Sequence, residues 1–245
     1  MRVFVTGATG FVGSAVVREL VGAGHRVIGL ARSDAAARAL AAAGAEAHPG
    51  DLADTAALQA GAATADAAIH LGFVHDFHRF AASCETDRRA ILALGAAFAG
   101  TDRPLVATSA IGILPPGHLS TEDSRPARGA AAHPRAATEA AADAVAATGV
   151  TVSLVRLPPS VHGPGDHGFV PTLIRIARET GVSAYPGDGG NRWPAVHRDD
   201  AARLFRLALE RGRGARYHAV AEEGIRFGEI ARAIGDGLGL PTRAA

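Results

Sequence analysis

Val3-Phe4-Val5-Thr6-Gly7-Ala8-Thr9-Gly10-Phe11-Val12-Gly13 is the stretch that decides the fold of this 245-residue chain. Its apolar start predicts a buried strand, and its three glycines predict a tight turn into a helix. Gly7 allows the turn, Gly10 lets the backbone approach a pyrophosphate, and Gly13 lets helix and strand pack closely. The helix N-terminus then offers free N–H groups to phosphates. The predicted contacts of this dinucleotide site are Gly7, Thr9, Gly10, Phe11, Val12 and Gly13.

Strand-like runs alternate with helix-like runs through the first part of the chain. We predict strands at 2–6, 26–30, 45–48, 66–71, 104–109 and 151–156, and helices at 11–23, 34–43, 54–60, 84–99 and 134–148. Strands without polar alternation are typical of a parallel sheet that is covered on both faces. The pattern therefore predicts an α/β fold, a doubly wound parallel sheet of the Rossmann type, over residues 1–156.

The sequence after Arg156 differs in composition from the part before it, because clusters of proline and glycine mark loops there. Within this part we predict helices at 168–180, 198–211 and 227–238 and a short strand at 182–185. We expect residues 157–245 to form a smaller substrate-binding lobe built on the same sheet as the core of residues 1–156. Leu240-Pro241-Thr242 offers no closing element, so we expect this lobe to be incomplete at its C-terminus.

Composition excludes several classes of function. The net charge is +1 without a basic block, which argues against nucleic acid and acidic membrane partners. The one cysteine, Cys84, excludes an internal disulfide and a CxxC metal site, and it fits a reducing cytoplasm. We predict no metal site, because His75-Asp76 with His78 lacks a partner cluster. No charged start followed by a long apolar stretch is present, so we expect no signal peptide and no membrane span.

The second predicted strand selects the cofactor. Its tip reads Leu30-Ala31-Arg32-Ser33, without the acidic residue that binds the ribose 2′-OH of NAD. Arg32 and Ser33 can instead bind a 2′-phosphate through a charged fork and a hydroxyl. The sequence therefore predicts NADP (NADPH) in preference to NAD. The other predicted cofactor contacts, near the adenine and along the cofactor, are Asp51, Leu52, Leu71, Gly72, Phe73 and Pro159.

Several motifs together resemble the extended short-chain dehydrogenase/reductase superfamily, in particular its epimerase/dehydratase-like members. The resemblance spans most of the chain. It rests on the glycine turn, Gly50-Asp51-Leu52, His70-Leu71-Gly72, Thr108-Ser109-Ala110, Arg156 through His162-Gly163-Pro164-Gly165, and Val196-His197-Arg198-Asp199-Asp200-Ala201. It implies a nicotinamide cofactor, a small-molecule substrate and a serine, here Ser109, that orients the substrate oxygen.

The chain departs from that superfamily at the catalytic Tyr-x-x-x-Lys pair. Arg135 stands at the tyrosine position and Glu139 at the lysine position, and the chain contains no lysine at all. Asp87 stands where the family has an asparagine in its fourth helix, and His162 stands where the family has the tyrosine of its YGPG stretch. The missing tyrosine removes a general acid that is worth roughly 10²–10⁴-fold in rate.

Other side chains are candidates for the lost role. Arg135 is a poor acid because its pKa stays above about 12, but it can stabilise an oxyanion or clamp a carboxylate. Glu139 lies one helical turn further and can pair with Arg135, with a structural or a catalytic purpose. His162 is a proton-donor candidate if its loop faces the nicotinamide. The predicted catalytic residues are Ser109, Arg135 and His162, and the predicted substrate contacts are His75, Asp76 and Trp193.

Three functions stay open on the sequence alone. The first is an NADP-dependent oxidoreductase acting on a small carbonyl or imine substrate without the usual Tyr/Lys. The second is a cofactor-binding enzyme without net redox chemistry, such as an isomerase, dehydratase or cyclase. The third is a non-catalytic NADP-binding sensor. Helices 84–99 and 134–148 lie where related proteins build dimers, so we expect a homodimer by analogy of fold.

Overall fold

The computed structural model describes residues 1–127 and 133–245. Its strands are β1 (Arg2–Thr6), β2 (Arg26–Ala31), β3 (Glu46–Pro49), β4 (Ala67–His70), β5 (Leu105–Ala110), β6 (Val152–Leu157), β7 (Ser160–His162), β8 (Ser183–Tyr185), β9 (Arg192–His197), β10 (Arg216–His218), β11 (Glu222–Arg226) and β12 (Thr242–Ala244). Its α-helices are α1 (Phe11–Gly22), α2 (Asp34–Ala42), α3 (Thr55–Ala63), α4 (Phe80–Phe98), α5 (Ala136–Ala146), α6 (Phe169–Thr180), α7 (Arg198–Arg211) and α8 (Phe227–Leu238).

Seven parallel strands form the central sheet, in the order β10-β6-β5-β4-β1-β2-β3. Side chains alternate along each strand, so Val3 and Val5 enter one apolar core and Phe4 enters the other. The first core lies under α1, α2 and α7, and the second lies under α3, α4 and α5. The predicted doubly wound α/β fold is therefore confirmed.

Helix boundaries differ most from prediction around residue 80. α4 begins at Phe80 rather than at 84, and a 3₁₀ turn at Phe77–Arg79 precedes it. Asp76 starts that turn by accepting the backbone N–H groups of His78 and Arg79. No helix or strand was predicted between residues 71 and 84, although Phe73, Phe77 and Phe80 follow a helical spacing.

Residues after Leu157 contribute to the central layer as well as to a peripheral one. α7 packs on α1 with Phe205 fully buried, and β10 extends the sheet by pairing with β6. A three-stranded sheet (β11-β9-β7), a pair (β12-β8) and helices α6 and α8 lie outside it. β10 was not predicted, because three residues reading Arg-Tyr-His give no recognisable strand pattern. The division into residues 1–156 and 157–245 stays a prediction.

Among the described residues, no helix is long and apolar enough to cross a membrane. Within the same part of the chain, no three His, Cys, Asp or Glu side chains are grouped as metal ligands.

Candidate active site

A cleft of about 1250 Å³ follows the carboxyl ends of the parallel strands. Chain connections diverge to both sides of the sheet between β1 and β4, which is where ligands bind in open α/β sheets. The predicted site residues that line the cleft are Gly7, Thr9, Gly10, Phe11, Val12, Gly13, Arg32, Asp51, Leu52, Leu71, Gly72, Phe73, His75, Asp76, Ser109, Arg135 and Pro159.

The glycine turn forms a cradle that fits a pyrophosphate. Gly7 has a φ of 66°, and a Cβ there would lie 2.7 Å from the backbone nitrogen of Gly72. No side chain caps the first turn of α1, whose N-cap is Gly10, and no acidic residue stands in that turn. Its N–H groups and helix dipole are therefore available to an anion. These features fit the diphosphate of NAD(P).

At the far end of the cleft, Arg32 follows the tip of β2 and is exposed to solvent. Ser33 lies beside it but does not line the cleft. It is the N-cap of α2, and its hydroxyl oxygen accepts the N–H of Ala36 at 3.2 Å. The hydroxyl proton of Ser33 remains able to donate, but the capping bond holds the side chain at the helix end. Arg32 is thus the positive charge that this end of the cleft offers to a cofactor.

Ser109 belongs to a buried ionic network. Its hydroxyl donates to Glu139 Oε1 at 2.8 Å, and Arg156 donates to both oxygens of Glu139 at 2.7 and 2.9 Å. Ser109 and Arg156 are paired residues of β5 and β6, so their side chains meet Glu139 from one face of the sheet. The prediction that Glu139 pairs with Arg135 was wrong, because the fully buried Arg156 binds it instead.

The charge state of Glu139 follows from this network. Burial alone would raise the pKa of Glu139, but hydrogen bonds from Arg156 and Ser109 and the charges of Arg156 and Arg216 outweigh it. The net effect lowers the pKa of Glu139, so the group is a carboxylate at neutral pH. In this structure the Ser109 hydroxyl therefore donates to a charged acceptor.

A second buried chain of hydrogen bonds leads away from the cradle. The Gly72 N–H donates to Thr6 Oγ1 at 3.1 Å, and Thr6 Oγ1 lies 2.8 Å from His70 Nδ1. His70 Nε2 lies 3.1 Å from Asp87 Oδ1, and Thr138 donates to Asp87 Oδ2 at 2.5 Å. A His70 ring protonated on Nε2 satisfies every member of this chain.

Asp87 keeps its negative charge in this chain. Burial alone would raise the pKa of Asp87, but the hydrogen bonds from His70 and Thr138 and the charge of Arg135 outweigh it. The net pKa lies below the ordinary value. A buried negative charge therefore lies behind the wall of the cleft that carries Arg135.

Arg135 precedes α5 and places its guanidinium over the ring of Phe73, 3.7 Å from the ring centre. Burial lowers the pKa of Arg135, while the nearby Asp87 and Cys84 raise it. The group stays charged, since arginine does not deprotonate in proteins. Its Nε is buried and has no hydrogen-bond partner among the described residues. A cation held by stacking and by a nearby charge therefore lines the cleft.

Besides Ser33, two further predicted site residues, His162 and Trp193, do not line the cleft. The His162 ring packs edge-on against His197 with ring centres 5.5 Å apart, so its role as a proton donor gains no support. Trp193 stacks on Phe169 at 4.8 Å and borders Phe227. Phe169 itself lines the cleft, and Trp193 therefore supports the wall from behind.

Several residues that line the cleft were not predicted from the sequence. Phe77 and Phe80 stack at 6.0 Å and continue the wall begun by Phe73. His167 lies opposite, edge-on to the Phe11 ring. The aromatic spacing over 73–80 and the Gly163-Pro164-Gly165 loop were the available signals, but neither states which side chains turn inward.

Comparison with known proteins agrees with this geometry. The profile of the NAD dependent epimerase/dehydratase family matches residues 3–220, and the chain belongs to that family. It is therefore a member of the extended short-chain dehydrogenase/reductase superfamily, whose fold and nicotinamide-binding cleft it has.

Relatives range from close to distant. An uncharacterized protein of Schizosaccharomyces pombe is 51% identical over 99% of this chain and 82% of its own length. The 2-alkyl-3-oxoalkanoate reductase of Stenotrophomonas maltophilia is 32% identical over 86% of this chain and 66% of its own length. Among solved structures, a dTDP-glucose 4,6-dehydratase double mutant from Streptomyces venezuelae with NAD bound is 26% identical, with a TM-score of 0.78 over 100% of this chain and 84% of that one.

Proposed function

We propose that this chain is an NADP-dependent oxidoreductase that reduces the carbonyl or imine group of a small substrate. One observation carries the proposal: the cleft joins a phosphate cradle and Arg32 at one end to Ser109 and Arg135 at the other. The 32% identical relative that is named as a 2-alkyl-3-oxoalkanoate reductase supports carbonyl reduction.

The cradle at Gly7 and the N-terminus of α1 would hold the diphosphate, and Arg32 would bind the 2′-phosphate. Bound NADPH supplies the hydride. Arg135 faces the negative charge that develops on the carbonyl oxygen, and it stabilises that charge in a partly dehydrated site. Water supplies the proton, because the guanidinium does not release one.

Ser109 acts as a positioning residue in this proposal. Its hydroxyl can turn from Glu139 to the substrate oxygen, because Arg156 continues to donate to both carboxylate oxygens. Replacing Ser109 by alanine is expected to lower kcat/KM by about 10-fold, the value of one hydrogen bond of roughly 1.4 kcal/mol. Steady-state kinetics measures this effect, and an unchanged kcat/KM would remove Ser109 from the reaction.

The cofactor assignment predicts a selective effect at Arg32. Arg32→Gln removes a charge-assisted bond to the 2′-phosphate, so we expect NADPH affinity to fall about 10- to 100-fold and NADH affinity to change little. Calorimetric titration of both nucleotides measures this difference. Arg38→Gln is the matched control, since Arg38 is exposed on the following helix α2 and does not line the cleft. Equal weakening of both nucleotides would contradict the 2′-phosphate assignment.

A cofactor-binding enzyme without net redox chemistry is the second candidate. The match to the epimerase/dehydratase family and the similarity to a dTDP-glucose 4,6-dehydratase favour it. Such an enzyme would convert its substrate without net loss of the NADPH absorbance, whereas a reductase consumes NADPH in proportion to product. A nucleotide-binding sensor would do neither.

We further propose that the chain forms a homodimer in the cytoplasm. α4 and α5 pack against one another, and their alanine-rich surfaces allow a close approach of a second copy. Light scattering after size-exclusion chromatography measures the mass directly, and a monomeric mass would reject the dimer.

A further inference from the structure

The positive charge of Arg135 lacks a hydrogen-bonded carboxylate in the described part of the chain. Asp87, whose charge acts on Arg135, uses both of its oxygens to bind His70 and Thr138. Asp87 therefore stabilises Arg135 through its field and not through a direct hydrogen bond. A partly dehydrated guanidinium in this situation attracts an anion, because its donors are incompletely satisfied.

The acidic residues that line the cleft are occupied elsewhere. Asp76 accepts the N–H groups of His78 and Arg79. Asp166 accepts the N–H of Gly168 at 2.7 Å, and Asp51 accepts that of Ala53 at 2.9 Å. Each caps its own local turn, and none forms an ion pair with Arg135 in the described residues.

Two histidines line the cleft together with Arg135. His75 and His167 both line the cleft, and the charge of His167 is the smallest of the effects on the pKa of His75. Burial, the Arg135 charge and His167 lower the pKa of His75, which a backbone hydrogen bond near Phe73 only partly offsets. The lowered pKa favours the neutral His75 ring, so the lasting positive charge beside it is that of Arg135.

Stacking on Phe73 restricts the direction from which an anion can approach Arg135. Phe73 covers one face of the guanidinium, so a ligand meets the N–H groups best in the plane of the group. Edge-on approach to a planar fork is the geometry in which arginine binds a carboxylate with two parallel hydrogen bonds.

We propose that Arg135 determines substrate specificity by binding the carboxylate of an oxo acid. This inference rests on the proposed function and names its substrate class. In a 2- or 3-oxo acid at most one carbon separates the carboxylate carbon from the carbonyl carbon, so one guanidinium reaches both groups with its five donors. The carboxylate thus anchors the carbonyl beside the cation that stabilises the developing oxyanion.

Matched substrates test the proposal. Wild-type protein at saturating NADPH is assayed with 2- and 3-oxo acids and with their methyl esters, which keep the carbonyl and lose the charge. We expect kcat/KM to favour the acids by about 10- to 150-fold, as for a charged hydrogen-bonded pair of roughly 1.5–3 kcal/mol. In Arg135→Gln this preference falls towards unity, and in Arg135→Lys it is intermediate because the charge remains without the fork.

Arg38→Gln is the matched control, because Arg38 is exposed on α2 outside the cleft and its loss should leave the acid-to-ester ratio unchanged. A second readout needs no turnover: NADPH-loaded protein is titrated calorimetrically with a saturated carboxylate, its amide and a phosphate monoester of the same chain length. We expect binding of the carboxylate alone, and its loss in an Arg135→Gln protein that still binds NADPH.

The outcomes separate the two proposals. Equal turnover of acids and esters overturns the carboxylate assignment and leaves carbonyl reduction standing. If none of the carbonyl compounds causes NADPH to be consumed, the reductase proposal is overturned. Carboxylate binding that depends on Arg135 would then still support the anion site. Binding of the phosphate monoester in preference to the carboxylate, or carboxylate binding that survives Arg135→Gln, rejects the inference.

Discussion

Glu139→Gln is expected to lower the free energy of unfolding by about 3–5 kcal/mol, the usual cost of leaving one member of a buried ion pair without its partner. Arg156 is fully buried and donates to both Glu139 oxygens. Glutamine keeps the size of the side chain but not its charge, so the guanidinium stays in the interior uncompensated. Urea unfolding measures the change.

Glu179→Gln is the control for that experiment. Glu179 forms an exposed pair with Arg175 on α6, and such surface pairs contribute little. The pKa of Glu139 is lowered in the folded chain, so its stabilisation is fully present above about pH 4.3 and is lost as the pH falls through the folded pKa. The difference between wild type and Glu139→Gln should therefore narrow in acid. A constant difference down to pH 3 would contradict the ion-pair explanation.

Gly13→Ala is expected to weaken NADPH binding by about 100-fold or more, equivalent to losing one or two charge-assisted hydrogen bonds of roughly 1.5–3 kcal/mol each. A Cβ at Gly13 would lie 2.0 Å from the carbonyl oxygen of Gly7. Because both atoms belong to the backbone of the turn, α1 and the turn must separate, and the N–H groups leave the pyrophosphate. We also expect a lower free energy of unfolding, by about 1–3 kcal/mol for overpacking.

Gly22→Ala is the matched control on the same helix. A Cβ at Gly22 would meet no atom within 4 Å, so the substitution should preserve NADPH binding. Calorimetric titration measures binding, and urea unfolding of both variants measures stability. Wild-type NADPH affinity in a folded Gly13→Ala protein would contradict the role given to the glycine turn.

The sequence predicted the phosphate cradle of the site but not the surroundings of Arg135 and His162. The cradle could be predicted because its residues lie within seven positions of one another and a short local geometry fixes their contacts. The placement of Arg135 could not, because its partners Phe73 and Asp87 come from other elements. His162 shows the same difficulty, since its contact with His197 arises only when β7 and β9 pair.

Local sequence features were enough to predict the strand–turn–helix cradle and six of the seven strands of the central sheet, and the residues themselves lack a Tyr-x-x-x-Lys pair. Those features depend on local periodicity, on glycine spacing and on residue identity. Only the tertiary structure decided that Glu139 binds Arg156 and leaves Arg135 to the cleft. The physical reason is that the parallel register of β5 and β6 sets Arg156 beside Ser109 and places a buried cation at Glu139. A buried, doubly hydrogen-bonded pair outcompetes a partner one helical turn away, which contributes only about 0.2–0.5 kcal/mol on a helix surface.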